Sequence, residues 1–542
     1  MPVKPAALEV ENLTFRYRRR EQPSIQNISF RVEPGEVLLL AGASGCGKTT
    51  LIRCINGLIP HTYSGELHGE IRIFGQSVRG RSLGEIAQQV GTLLQDPERQ
   101  ILGSYVLQEV AFGLENLGLP RTEIRRRAEE ALERLGIAHL RHRETYLTSG
   151  GEKQKIALAG VLALGPRLLL LDEPLASLDP MSAYEALQLF RQLADEGIAI
   201  IIVEHRVEDV LAIRPDKVLY LENGRMAYYG PAEGLAQAVD AREIKLPAEQ
   251  AIRHFAQAEI KPATARPRQG SLGEPLVEFR GVHFHYGSSD RPVLKDVNLV
   301  IRKGEVIALL GHNGCGKTTL TKHALGLLKP TEGKVLLEGR DTRQMTVAQA
   351  AHTVGYVFQS PSHMLFAPTV RQELEFGPKN LGFPAEVIAQ NVQWAIETIR
   401  MQSEMETPPL ALSFGQQKRV SIAAVLSMRS RLLVLDEPTA GQDYGTYRAF
   451  MDAMMQMKEV ETILFVTHDL DLAISYANRV ILMYDGRIMA DGKPEEVLQD
   501  EERLRAYRIL PTSLLRLNLR YLPKTGRFLP LEELAQVVRE GA

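Results

Sequence analysis

The chain has 542 residues, too many for one hydrophobic core, so at least two domains are expected. Its 64 lysines and arginines nearly balance 66 acidic residues, and a formal charge of −2 argues against nucleic acid, which calls for a basic stripe. Three cysteines exclude a disulfide framework and a zinc site, and no run approaches the roughly 20 apolar residues of a membrane span.

In chain order, Met1–Pro5 lacks the apolar core of a secretion signal, and Leu8-Glu9-Val10-Glu11 alternates as a strand of a small antiparallel sheet does. Val37-Leu38-Leu39-Leu40 predicts a buried strand entering Gly42-Ala43-Ser44-Gly45-Cys46-Gly47-Lys48-Thr49, an octet of the form G-x-x-x-x-G-K-[ST]. A triphosphate needs backbone N–H groups close to it, which glycine permits at Gly45 and Gly47; Gly42 and Ser44 complete the loop. Lys48 would place its ammonium on the terminal phosphates, the Thr49 hydroxyl can ligate magnesium, and the helix opened by Thr50 turns its positive end to the same anion.

Arg121 to Leu135 has helical periodicity and is expected as a helical insertion. Leu168-Leu169-Leu170-Leu171 is an apolar strand ending in Asp172-Glu173-Pro174. The first acid suits a magnesium ion and the second can orient or deprotonate an attacking water. Ile198 to Val203 is another buried strand, ending at Glu204-His205.

Residues 246–275 are expected to be a linker, on the Pro, Ala and Gly mixture of Lys261 to Ser271, which separates domains at 1–245 and 276–542. The second domain repeats the first. Val277-Glu278-Phe279-Arg280 alternates, and Val306-Ile307-Ala308-Leu309-Leu310 leads into Gly311-His312-Asn313-Gly314-Cys315-Gly316-Lys317-Thr318, followed by Thr319. Ala385 to Ile399 is the second helical insertion, and Leu432-Leu433-Val434-Leu435-Asp436-Glu437-Pro438 the second acidic strand. From about residue 504 a tail with helical character in Leu531 to Val538 extends the second domain, either as a domain-contact element or as plain packing.

Spacing shows that a whole domain was duplicated. Tyr17 lies 31 residues before Lys48, as Tyr286 does before Lys317; Gln95 and Gln359, Asp172 and Asp436, Glu173 and Glu437 are each 264 apart, and His205 and His468 are 263 apart. Alternating strands and helices imply an α/β fold: two tandem P-loop NTPase domains, each a mainly parallel sheet with a small antiparallel subdomain and a helical one.

With Thr148-Ser149-Gly150-Gly151-Glu152 and Leu412-Ser413-Phe414-Gly415-Gln416 as forms of an LSGGQ signature, both halves resemble the nucleotide-binding subunits of ABC transporters over nearly the whole chain. The resemblance implies ATP and magnesium as cofactors and a pairing of the two domains within one chain. Tyr17 and Tyr286 would stack on adenine, and Glu173, Glu437, His205 and His468 would be catalytic. Thr49, Gln95 and Asp172, and Thr318, Gln359 and Asp436, would serve the metal. One ATP site would combine Lys48, Gln95, Asp172, Glu173 and His205 with Ser413 and Gly415; the other would combine Lys317, Gln359, Asp436, Glu437 and His468 with Ser149 and Gly151. Glu152 would bring a negative charge near a polyanion, and Phe414 a ring where the backbone should approach phosphate.

Val90 to Gln100 resembles the corresponding stretch of energy-coupling-factor ATPases, which drive uptake of vitamins and of cobalt or nickel; Val357-Phe358-Gln359-Ser360-Pro361, Phe366-Ala367-Pro368-Thr369-Val370 and Phe376 to Gly382 are more similar still. The implied protein is an importer ATPase, peripheral at the cytoplasmic face of the membrane, with transmembrane coupling and substrate-binding subunits as partners and no nucleic acid. The alternative is a soluble twin ATPase acting on ribosomes or DNA, although the short, Pro-rich connection lacks the long charged helical arm usual there.

Overall fold

The computed structural model describes residues 5–176, 178–257, 273–287, 291–439, 441–456 and 460–540. The chain forms two compact units, one of Met1–Leu178 with Ser182–Leu246, the other of Pro247–Ala542 with Asp179–Met181.

In the first unit, Val37–Gly42, Ala199–Val203, Leu168–Asp172 and Val90–Leu93 are short apolar runs, and the first three bury both faces between covering layers. They lie in a six-stranded sheet ordered Arg225–Gly230, Lys217–Glu222, Val37–Gly42, Ala199–Val203, Leu168–Asp172, Val90–Leu93. All neighbours are parallel except the first pair, which is an antiparallel hairpin. The second unit repeats the order, from the hairpin edge, with Arg487–Gly492, Arg479–Tyr484, Val306–Leu310, Thr462–Thr467, Leu432–Asp436 and Val354–Val357. A four-stranded antiparallel sheet flanks each, centred on Leu8–Tyr17 and on Pro275–Phe284, and both long strands shift register near their middle.

Three helices form the expected insertion in each unit: Val106–Asn116, Arg121–Arg134 and Gly150–Ala163, then Val370–Asn380, Ala385–Thr398 and Phe414–Leu426. Parallel strands release their C-terminal ends on one edge of the sheet, and ligands of such sheets bind in the crevice there. Both phosphate loops, both acid pairs and both histidines stand at or just after those ends.

One part of the expected linker is structured. Residues 248–257 form a helix whose Ala248, Ala251, Ile252 and Phe255, at helical spacing, are buried in the second unit. That helix packs against the tail helices Ser513–Thr525 and Leu531–Glu540, and the Ala248 N–H donates to Ser513 Oγ at 2.7 Å. The Pro, Ala and Gly composition downstream hid this apolar stripe; residues 261–271 themselves lie outside the described residues. The tail packs on the rest of the second unit through an Arg448–Glu532 pair at 2.6 Å, and within the tail the Asn518 amide donates to the Leu514 and Leu529 carbonyls.

Candidate functional site

Each phosphate loop is shaped by glycines in conformations other residues rarely adopt, with φ of 148°, 80° and 109° at Gly42, Gly45 and Gly47, and 155°, 81° and 106° at Gly311, Gly314 and Gly316. A Cβ at Gly47 would come within 2.6 Å of the Ser24 carbonyl oxygen. At Gly45 and Gly314 it would meet nothing within 4 Å, so the loop face there is open. Ser44 and Asn313 lie on this exposed part. Neither following helix, Lys48–Ile55 or Lys317–Ala324, carries an acidic residue in its first turn, which leaves the positive end of each uncompensated. Lys48 and Lys317 are 5% and 7% exposed, and each ammonium donates to two loop carbonyls, those of Gly42 and Ala43 (2.7 and 3.0 Å) and of Gly311 and His312 (2.7 and 3.0 Å). An open amide-lined loop with a fixed cation fits a polyphosphate.

The tyrosines sit alike. The Tyr17 and Tyr286 hydroxyls each lie 3.2 Å from the Oγ1 of Thr50 and Thr319, while Phe15 and Phe284 meet their rings edge-on. Tyr286 is 47% exposed, enough for a planar ligand to cover it.

Behind the loops the halves diverge. In the first, Gln95 Nε2 donates to Glu173 Oε2 at 2.5 Å, and His205 Nε2 lies 3.2 Å from Glu173 Oε1, so both carboxylate oxygens are engaged. In the second, His468 Nδ1 lies 3.2 Å from Glu437 Oε1, and Oε2 is buried with no hydrogen-bond partner. In place of that contact, Lys418 donates to the backbone carbonyls of Gln359 and Phe358 (2.8 and 2.9 Å). Asp436 accepts from the Thr318 hydroxyl at 3.0 Å and the Tyr356 hydroxyl at 2.9 Å; Thr49, the counterpart of Thr318, is exposed.

Burial would raise both glutamates, but hydrogen bonding and charge from His205 and His468 leave each carboxyl below its ordinary value. Burial pushes Asp172 up to about 6, with Glu173 adding to it; Asp436 is raised by burial too, against the Tyr356 hydrogen bond. Each unit thus holds a glutamate kept ionised beside its histidine and a neighbouring aspartate whose buried charge calls for a cation. Among the described residues no group of three or more His, Cys, Asp or Glu could hold a metal by itself. The donors present, a hydroxyl and a carboxylate beside a phosphate loop, fit magnesium, which takes few protein ligands and completes its shell with phosphate and water.

Ser149 and Ser413 cap the helices Gly150–Ala163 and Phe414–Leu426, with Glu152 and Gln416 closing identical capping boxes. Glu152 therefore serves its own helix: its carboxylate accepts from Ser149 N–H at 2.7 Å. Gly151 and Gly415 follow in the first turn. The 44% exposed ring of Phe414 lies over Gly441 of its own unit, where a Cβ would meet it at 2.4 Å.

Three supporting residues escaped the sequence reading. Buried Glu204 accepts from the N–H of Leu175, His205 and Arg206 (2.7, 3.1 and 3.4 Å), tying the segment after Glu173 to the histidine. Tyr356 and Lys418 are the others. Their signal was a mismatch between the copies, with Thr467, Thr92 and Gln154 at the corresponding positions.

A duplicated phosphate loop, acid pair and histidine on parallel-sheet edges define a two-domain P-loop ATPase. The chain belongs to the ABC transporter family, whose model matches residues 25–176 and 294–440. Its two domains are ABC ATPase domains, which bind ATP. A provisionally named ABC transporter ATP-binding protein of Caldanaerobacter subterraneus subsp. tengcongensis is 34% identical over 99% of this chain and 100% of its own length. Another, of Methanosarcina mazei, is 35% identical over 95% of this chain and 93% of its own. The solved structure of CbiO1 from Clostridium perfringens, described as part of the ABC transporter complex CbiONQ, is 32% identical, covering 46% of this chain and 100% of that one, with a TM-score of 0.40.

Proposed function

We propose that this chain is the ATP-hydrolysing subunit of an importer of the energy-coupling-factor type, working at the cytoplasmic face of a membrane with transmembrane partners. In this reading, Lys48 and Lys317 hold the terminal phosphates, and the rings of Tyr17 and Tyr286 carry the adenine. Glu173 and Glu437 accept a proton from the attacking water, and His205 and His468 orient those carboxylates and neutralise them. Thr49, Gln95 and Asp172 would hold magnesium in one unit, and Thr318, Gln359 and Asp436 in the other. When bound, the ion supplies positive charge against the phosphates. Ser149 with Gly151, and Ser413 with Gly415, offer capped helix starts for a γ-phosphate.

The partner is supported by one observation. Just after Gln95 and Gln359, each unit exposes a large apolar side chain on a held loop, Leu102 at 70% and Phe366 at 62%, and another on the helix that follows, Phe112 at 44% and Phe376 at 49%. A buried glutamate builds each presentation. Glu109 accepts from the Leu102 and Gly103 N–H groups, and Glu373 from those of Phe366 and Ala367. An exposed apolar patch held in place by buried hydrogen bonds suits a protein partner. Among the described residues no helix is long and apolar enough to cross a membrane, so the membrane-spanning part would come from that partner. Replacing Leu102, Phe112, Phe366 and Phe376 with polar residues should abolish co-purification with a membrane subunit; unchanged association would refute this reading.

A further inference from the structure

Asp436 has a support that the first unit lacks. Tyr356 stands on the neighbouring parallel strand, paired with Val434, and is 4% exposed, its ring against Phe358 at 4.8 Å. Its hydroxyl donates to Asp436 Oδ2 at 2.9 Å and lies 3.0 Å from Thr321 Oγ1. Thr321 Oγ1 also lies 3.3 and 3.1 Å from the carbonyls of Lys317 and Thr318, so its single proton is shared between them and the phenol oxygen. The phenol thus links the acid at the strand end to the first turn of the phosphate-loop helix.

Thr318 donates to the same Oδ2 at 3.0 Å, but that hydroxyl is also the group placed to meet a cation. If it turns away, a buried carboxylate left without a donor would be costly and free to rotate. Tyr356 can keep its hydrogen bond throughout, because it approaches from the sheet side. The corresponding residue of the first unit is Thr92, whose short side chain accepts from Asn56 Nδ2 at 3.4 Å instead.

We propose that Tyr356 is a positioning residue of the second centre, holding the Asp436 carboxylate in the orientation that receives the magnesium of bound Mg–ATP. This rests on the reading of Asp436 as the magnesium acid. The contribution falls on the metal-dependent part of nucleotide binding and on turnover, and leaves the phosphate contacts of Lys317 and the loop amides alone.

The test uses the full chain carrying Lys48→Ala, so that the second centre dominates binding, and a fluorescent ATP analogue titrated in magnesium and in EDTA. Tyr356→Phe keeps the ring and removes the hydroxyl. It should weaken binding about tenfold in magnesium, the scale of one hydrogen bond to a charged group, and less than about twofold in EDTA. Thr321→Val, which leaves ring and phenol in place, should show the same selective loss at about threefold. Equal affinities in both media, or equal losses in both, would overturn the proposal. Asp436→Asn in the same background separates the two ideas: if the advantage of magnesium survives there, Asp436 is not the magnesium acid, whatever Tyr356 does.

Discussion

The two candidate centres carry the same named residues and are braced differently. In the first, Gln95, Glu173 and His205 form a closed chain, and buried Glu204 ties three backbone amides around it. In the second, bracing moves to the other acid and to the glutamine turn, through Tyr356 on Asp436 and Lys418 on the Phe358 and Gln359 carbonyls, leaving Glu437 Oε2 without a partner. Duplication held constant the groups that would touch nucleotide, whose spacing the chemistry constrains. The supporting residues can change in compensating sets, and here they have. Two centres built this way are expected to differ in rate and in tolerance to mutation.

The largest expected effect removes the comparison altogether. Glu173→Gln with Glu437→Gln should lower ATP turnover by about 10²- to 10⁴-fold, the range for losing a general base. Parent activity in that double mutant, measured by phosphate release, would show that neither acid is the base.

Lys418 sharpens the contrast next. It is fully buried, and burial holds its ammonium down at about 8 against the pull of Asp436 and Glu437. Lys418→Met strands two carbonyl acceptors and should cost the second unit roughly 1–3 kcal/mol, with faster amide exchange at residues 358–360. Gln154→Met at the matching position should do no more than half as much.

Glu204 gives the contrast a pH dependence. Burial, with Glu173 nearby, raises its carboxyl to about 8 from an ordinary value of 4.5. The folded state then binds a proton that the unfolded state releases between these values. This contribution to stability is therefore fully present below about pH 4.5 and is lost as pH rises towards 8. The first unit's melting temperature should fall from pH 5.5 to 8, and Glu204→Gln should reduce that fall; an identical fall in the variant would exclude the carboxyl as its source.

The smallest expected effect concerns Phe414. Because its ring lies over Gly441 and is 44% exposed, Phe414→Gly should change stability by less than about 1 kcal/mol and turnover by less than about threefold. A larger change would mean that the ring takes part in the nucleotide site.

The architecture was legible because apolar strands and glycine-rich loops announce themselves locally, and a repeat at a constant offset multiplies each signal. The loops, acid pairs and histidines could be placed for the same reason. Bracing was not legible. Nothing local marks Tyr356 as a partner of Asp436, 80 residues away, since strand pairing alone makes them neighbours. Glu204 and Lys418 differ from Thr467 and Gln154, but a difference between copies has no direction until burial and partners are known. Phe414 and Glu152 looked disruptive where the resemblance called for glycine and glutamine, yet one folds onto its own unit and the other caps its own helix. The helix 248–257 was missed because its apolar stripe adjoins a stretch rich in proline and glycine.

The most direct measurement is single-turnover ATP hydrolysis by Glu173→Gln and Glu437→Gln, each alone. Each variant should lose turnover, and the two residual rates should differ. Full activity in both single mutants would contradict the assignment of these acids, and equal losses would contradict the claim that the differently braced centres work unequally.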